Sequence, residues 1–199
     1  MRFLEKICRE SRNHKKPSPR LQRFVADVTK SSDLKSLDKE FNQIDQIDVL
    51  INNAGVLHDR ELSFDQTTED ILLQTFQVNL FGVHAVTQIA KKRLLKSSNP
   101  KVFSLSSVMG SITENASGRY YAYRSSKAAL NAWNKSFSVD HPKITSIVIH
   151  PGWVATEMGG AQAPTSPKDS AAGILTLVQK LGLESTGKFF DYTGREVPW

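Results

Sequence analysis

Short apolar runs alternate with longer segments of helical periodicity from residue 23 onward. The runs are RFVADV (23–28), IDVLI (47–51), PKVFSLSS (100–107), ITSIVIH (144–150) and GKFFDY (187–192). The segments between them predict helices at about 31–44, 67–96, 120–138 and 166–181. Because the runs are continuously apolar, they predict strands buried on both faces, as in a parallel sheet covered by helices. The sequence therefore predicts a single α/β domain of 199 residues.

Residues with side-chain oxygens stand where these helices are expected to begin. Ser31 or Ser32 is the predicted N-cap of the first helix, and Thr67 with Asp70 resembles a capping box for the second. The segment SPKD (166–169) supplies Ser166 as an N-cap, with proline at the first helical position. These signals predict three of the helix starts.

The basic charge is confined to the beginning of the sequence. The net charge is +6, and residues 1–23 hold eight Lys and Arg against two Asp and Glu, so the rest is neutral. This favours a solvated basic segment over nucleic-acid binding. Residues 71–90 carry no charge but contain three Gln, an Asn and a His, which favours a buried helix over a membrane span. One cysteine and no signal peptide predict a reducing, cytoplasmic setting.

Polar motifs follow the predicted strands, at the point where each strand ends. They are Asp27, NNAG (52–55), the pair Ser106–Ser107 and the pair Pro151–Gly152. The carboxyl ends of parallel strands meet at one edge, where ligands bind in open α/β sheets. Tyr123 and Lys127 are one helical turn apart in the predicted helix 120–138. We expect a ligand site at this edge of the sheet.

Five motifs occur in a characteristic order: NNAG (52–55), VNLFG (78–82), SSVMG (106–110), Tyr-x-x-x-Lys (123–127) and PGWVAT (151–156). In this order they resemble the short-chain dehydrogenase/reductase family. The segments at 111–131 and 191–199 are most similar to its C-factor-like carbonyl reductase branch. The resemblance implies a Rossmann-like, doubly wound parallel sheet and an oxidoreductase that reduces a carbonyl or oxidises an alcohol.

The resemblance also implies four catalytic residues. Tyr123 would be the general acid or base, and the ammonium of Lys127 would lower its pKa and bind the nicotinamide ribose. Ser107 would bind the substrate carbonyl, and Asn79 would hold a water that relays protons to Lys127. Tyr120 with Arg124 is a rival pair, which we reject because Tyr123 alone has the lysine and the register of the family.

The implied cofactor is NADP rather than NAD, because an arginine at the end of the second strand often pairs with the 2′-phosphate. That arginine is Arg9. The other cofactor-binding residues implied by the motifs are Asp27, Val28, Asn53, Ala54, Gly55, Tyr123, Lys127, Pro151, Gly152 and Thr156. The histidines have no metal-binding spacing, and no metal is expected. Trp153 and Met158 either pack in the fold or line the substrate pocket, and the sequence leaves both readings open.

One part of the family pattern is not found in this sequence. The family opens with a strand, a glycine-rich turn that binds pyrophosphate, and a helix, but the first glycine here is Gly55. From this we expect the chain to bind NADPH weakly or not at all. The alternative to an enzyme is a non-catalytic partner of full-length relatives that pairs through helices 68–96 and 120–138, where Ala128, Ala129 and Ala132 permit close approach. Otherwise the expected partners are a small carbonyl or alcohol substrate and a second copy of the chain, without nucleic acid or membrane.

Overall fold

The computed structural model describes residues 23–199, and the structural statements below concern that part of the chain. Strands and helices alternate in the order that the apolar runs predict. They are α1 (Ser31–Phe41), β1 (Val49–Asn52), α2 (Glu69–Phe76), a π-helical turn (Gln77–Gly82), α3 (Val83–Leu94), β2 (Lys101–Leu105), a 3₁₀ turn (Val108–Gly110), α4 (Tyr121–Asp140), β3 (Thr145–His150), α5 (Pro167–Lys180), a 3₁₀ turn (Leu183–Ser185) and β4 (Phe189–Asp191).

The four strands form one parallel sheet in the order β1-β2-β3-β4. Helix α5 covers one face, where Ile174 and Leu177 pack against Phe103, Ile147 and Ile149. On the other face lie α3 and α4, which contribute Val83, Ala90, Leu94 and Leu130 to the hydrophobic core. Both central strands are buried on both faces, as continuous apolar runs predict. The predicted fold class, a Rossmann-like parallel sheet with helices on both faces, is confirmed.

The prediction of a strand at 23–28 is wrong. Residues 23–27 have no regular structure, Val28 and Thr29 form a turn, and the side chains of Phe24 and Val25 are exposed. A strand needs a hydrogen-bonded neighbour, and within residues 23–199 β1 pairs only with β2. The backbone groups of Asp27 are used locally instead: its carbonyl accepts from Lys30 N, and its N–H donates to Asp33 Oδ2.

Two of the predicted helix starts are displaced by one residue. Lys30, not Ser31 or Ser32, is the N-cap of α1, and it forms no side-chain capping bond. Thr68 rather than Thr67 caps α2, with Thr68 Oγ1 accepting from Ile71 N at 3.4 Å. The third start is confirmed, because Ser166 Oγ accepts from Asp169 N at 3.0 Å.

The segment predicted as one helix over 67–96 is helical but changes its winding at its centre. The π-helical turn Gln77–Gly82 separates α2 from α3 and contains the buried Asn79. Such turns are rare and often lie at functional sites. Across residues 23–199, the structure contains no helix with the length and apolar character needed to cross a bilayer.

Candidate active site

Asn79 binds the loop that follows β1. Its Oδ1 accepts from the backbone N–H of Val56 at 2.8 Å, and its Nδ2 donates to the carbonyl of Val56 at 3.0 Å. Nδ2 also donates to Ser126 Oγ on α4, at 3.0 Å. Asn79 therefore fastens the NNAG loop and the helix of Tyr123 to the π-helical turn. The first residue of that motif, Asn52, is buried and donates to Thr87 and Ser104, so it joins β1 to α3 and β2.

Ser107 follows β2 and caps the 3₁₀ turn, with its Oγ accepting from Met109 N at 3.1 Å. The turn packs directly on α4 at Gly110. A Cβ on Gly110 would lie 2.8 Å from both the carbonyl carbon and Cβ of Lys127. Only glycine permits this approach, which sets the separation between Ser107 and the helix that carries Tyr123 and Lys127.

Tyr123 and Lys127 lie in the first two turns of α4, and both are buried. Lys127 Nζ donates to the carbonyl of Leu105 at 2.8 Å and lies 5.7 Å from the centroid of the Tyr123 ring. Burial lowers the pKa of Lys127 to about 8. The geometry therefore brings together a phenol, a serine hydroxyl and an ammonium that can lose its proton near neutral pH.

The pKa of Tyr123 shifts in the opposite direction to the one predicted from the sequence. Burial raises this pKa, a hydrogen bond from Ser107 lowers it, and the charge of Asp59 raises it again. The expectation rested on Lys127 alone, whose ammonium is bonded to Leu105 and is itself destabilised by burial. In this structure Tyr123 therefore holds its proton at neutral pH.

The loop after β3 is fixed from two sides. Gly152 has φ +87°, and a Cβ there would lie 2.9 Å from the ring of Tyr192. On the other side, Ser170 Oγ donates to the carbonyl of Pro151 at 2.6 Å. Further along, Thr156 Oγ1 accepts from Gly159 N at 3.1 Å. Pro151, Gly152 and Thr156 thus form an ordered loop at the carboxyl edge.

Trp153 and Met158 of that loop are the two residues for which the sequence left both a packing role and a pocket role open. Trp153 is half exposed, and its Nε1 donates to the carbonyl of Gly159 at 2.7 Å. The carbonyl of Met158 accepts from the guanidinium of Arg60, which belongs to the loop after β1. The loops on the two sides of the edge therefore touch through Arg60.

The residues predicted for the adenosine half of the cofactor are only partly brought together. Asn53 and Ala54 are exposed beside Gly55, whose added Cβ would lie 3.5 Å from both Asn79 Oδ1 and Lys127 Nζ. Asp27 accepts from the backbone and hydroxyl of Thr29, and Val28 packs against Gly82. Arg9 lies outside the described residues.

The rejected pair Tyr120 and Arg124 has a structural role. Tyr120 is the left-handed N-cap of α4, with φ +54°. Arg124 donates to the carbonyls of Gly118 and Met109 and to Ser117 Oγ. The guanidinium therefore fastens the 111–119 segment to α4, and this segment provides the long spacing between Ser107 and Tyr123.

Sequence reasoning missed Asp59. This carboxylate is 1% exposed, and its Oδ2 accepts from the backbone N–H groups of Ala122 and Tyr123 at 2.7 and 3.3 Å. The available signal was the segment GRY (118–120), which has no capping side chain before a predicted helix. A distant acceptor was therefore required, but the sequence did not say which one.

The outer face of α4 is partly covered by the chain itself. Ala128 and Ala132 line a cavity of about 260 Å³ together with Ile112 of the 111–119 segment and Trp199. The carbonyl of Trp199 accepts from the backbone N–H of Thr113 at 3.1 Å and from its hydroxyl at 2.8 Å. Pairing of chains through this face stays a prediction. Residues 23–199 contain no cluster of metal-ligating side chains.

Comparison with known proteins decides the family. A family model described as short chain dehydrogenase matches residues 3–166. The chain belongs to the short-chain dehydrogenase family. It is 42% identical over 155 residues to C-signal of Myxococcus xanthus, a match covering 77% of this chain and 93% of that protein.

Solved structures of carbonyl reductases in this family have the same fold. Carbonyl reductase Sniffer of D. melanogaster superposes with a TM-score of 0.86 at 28% identity, covering 100% of this chain and 83% of Sniffer. The NADPH-bound carbonyl reductase from chicken fatty liver gives a TM-score of 0.84 at 25% identity, covering 100% of this chain and 82% of that protein. The chain is therefore a carbonyl reductase-like member of the short-chain dehydrogenase family.

Proposed function

We propose that this chain catalyses the NADPH-dependent reduction of a small carbonyl compound to an alcohol, or the reverse reaction. The observation that carries the proposal is that Tyr123, Lys127 and Ser107 are all buried at the carboxyl edge, with Lys127 Nζ 5.7 Å from the centroid of the Tyr123 ring. The carbonyl reductase neighbours and the NADPH in the chicken enzyme support the choice of substrate class and cofactor.

The residues around Lys127 fit the nicotinamide half of the cofactor. An ammonium has three N–H donors, and within the described chain the carbonyl of Leu105 accepts one of them. Two donors are left for ribose hydroxyls. Gly55 leaves the backbone open beside Lys127 and Asn79, and the rigid Pro151–Gly152 loop stands at the same edge. When bound, the cofactor supplies the hydride.

Tyr123 then acts as the proton donor. In the reductive direction its hydroxyl gives a proton to the carbonyl oxygen while Ser107 donates a hydrogen bond to the same oxygen. The raised pKa of Tyr123 keeps this proton in place until the oxygen becomes basic. The ammonium of Lys127, with a pKa of about 8, reprotonates the phenolate. Asn79 would hold the water that returns a proton to Lys127.

The test compares wild type with Tyr123→Phe, which removes one hydroxyl and keeps the ring. Turnover is followed as NADPH consumption with a panel of aldehydes, ketones and quinones. We expect the variant to lose roughly 10²–10⁴-fold in kcat, the usual contribution of general acid catalysis. Its melting temperature should stay close to that of wild type. Near-normal kcat in Tyr123→Phe contradicts the role of Tyr123, and a wild type without turnover on the panel contradicts the reductase assignment.

A further inference from the structure

We propose that Asp59 is a positioning residue for the proton donor: its buried carboxylate caps α4 and holds Tyr123 in place against Ser107. The inference rests on the proposed function for its catalytic consequence. It goes beyond the four residues assigned above, because Asp59 touches neither substrate nor cofactor in that scheme and acts through Tyr123.

Helix α4 lacks a cap of its own. The two residues before it, Arg119 and Tyr120, have φ +58° and +54°, and the N-cap forms no side-chain hydrogen bond. The first turn contains no acidic residue. The first N–H groups of a helix have no partner within the helix and need an external acceptor. In α4 the first turn contains the buried residues Ala122 and Tyr123, so this acceptor must come from elsewhere in the fold.

Asp59 is that acceptor, supplied from another part of the fold. Its Oδ2 accepts from Ala122 N and from Tyr123 N, so one contact is to the backbone of the proposed proton donor. The carboxylate stands at the positive end of the helix dipole, where a negative charge is stabilised. This contact joins α4 to the loop after β1, which Asn79 holds at Val56. A displacement of either partner would move the Tyr123 hydroxyl relative to Ser107.

The helix cap supplied by Asp59 is a charged carboxylate, although a neutral side chain could also accept these hydrogen bonds. Asp59 Oδ1 is buried and has no hydrogen-bond partner among the described residues. Burying part of a carboxylate in this way is costly, and a serine or asparagine could also cap a helix. The charge has an effect that a neutral cap lacks: after burial and the hydrogen bond of Ser107, it is the next influence on the pKa of Tyr123, and it raises it. The negative charge of Asp59 thus adds to burial in favouring the protonated form of Tyr123, while Lys127 is the charged group that lies over the ring.

The test uses Asp59→Asn, which keeps the shape and one acceptor oxygen, and Asp59→Ala, which removes the cap. Asp70→Asn is the matched control, because Asp70 is an exposed carboxylate in the first turn of α2. The first readout is independent of activity: a pH titration of tyrosinate absorbance, in which Tyr123→Phe identifies the contribution of Tyr123. We expect Tyr123 to lose its proton at lower pH in both Asp59 variants and at the wild-type pH in the control.

Stability and turnover complete the test. Loss of a helix cap should lower the melting temperature of Asp59→Ala by roughly 2–8 °C, and that of Asp59→Asn by less. Misplacement of Tyr123 should lower kcat of Asp59→Ala on the order of 10²-fold, with a smaller change in KM for NADPH and partial rescue in Asp59→Asn.

The outcomes separate this inference from the proposed function. A lower melting temperature with unchanged tyrosinate titration and unchanged kcat would make Asp59 a structural cap only and overturn the inference. The same holds if both variants behave as Asp70→Asn does. If wild type has no turnover, the proposed function fails, while the titration and the melt still decide whether Asp59 controls Tyr123. If Asp59→Ala does not fold, the titration of Asp59→Asn decides.

Discussion

At Gly110, one added carbon would disturb the packing between the turn of Ser107 and the helix of Tyr123. The 3₁₀ turn that follows Ser107 packs on α4 through Gly110, with Lys127 directly opposite. We predict that Gly110→Ala separates Ser107 from Tyr123 and lowers kcat while the fold is kept. The backbone at 110 does not have a positive φ, so the effect comes from contact and not from local strain.

The size of the effect follows from the contact distances. The added Cβ would lie 2.8 Å from two backbone-proximal atoms of Lys127 and 3.1 Å from Ala128 N, whereas ordinary contact begins at 3.4 Å. The turn and the helix must therefore move apart by about 0.6 Å. Overpacking of this kind costs roughly 1–3 kcal/mol. Since a displacement of about 1 Å can cost about 10²-fold in rate, we expect kcat to fall roughly tenfold.

The assay pairs steady-state kinetics with thermal melts and includes Gly118→Ala as a control. A Cβ on Gly118 meets no atom within 4 Å, but its φ of +63° makes alanine strained. The control should lose about 1–2 kcal/mol of stability and keep its kcat. If Gly110→Ala keeps wild-type kcat, or loses only as much as Gly118→Ala at equal stability, the close packing does not position the site.

Three further predictions address charge and cofactor choice. For Lys127→Met, the free energy of unfolding of wild type and variant is compared by chemical denaturation. Because burial lowers the pKa of Lys127, the unfolded chain binds more protons than the folded chain between pH 8 and 10.5, and wild type should gain up to about 3 kcal/mol over the variant across this window. A difference that does not change with pH would contradict this. Lys101→Met should lower the melting temperature by roughly 2–12 °C, because Lys101 Nζ donates to the carbonyls of Val178 and Leu181 at 2.8 Å and methionine leaves both carbonyls without this donor. An unchanged melting temperature would refute the reasoning. Arg9→Ala should raise KM for NADPH and leave NADH nearly unchanged, whereas an equal loss for both cofactors would argue against a 2′-phosphate contact.

The local signals in the sequence predicted most of the elements and the edge at which the site forms. Ser166 and Pro167 start α5 as expected, because capping is a property of neighbouring residues. The motifs after β1, β2 and β3 gather at one edge, since all parallel strands end on the same side. The order of these motifs also predicted the family, which the family comparison confirmed.

Other features depend on partners far along the chain, and the sequence could not supply them. The run at 23–28 has the composition of a strand, but a strand exists only beside another strand, and residues 23–199 provide none for it. The π-helical turn at Asn79 depends on its bonds to the distant Val56 and Ser126, which no helical periodicity reveals.

The pKa values at the site show most clearly which properties follow from the sequence and which follow from the tertiary structure. The sequence by itself determined that a tyrosine and a lysine stand one helical turn apart, because helix geometry fixes that spacing. The tertiary structure alone decided the direction of their pKa shifts. Burial raises the pKa of Tyr123 and lowers that of Lys127, and Asp59, more than sixty positions earlier in the chain, adds a negative charge beside them. Desolvation and charge act through space, so their effect depends on what the fold packs around a group and not on its neighbours in the sequence.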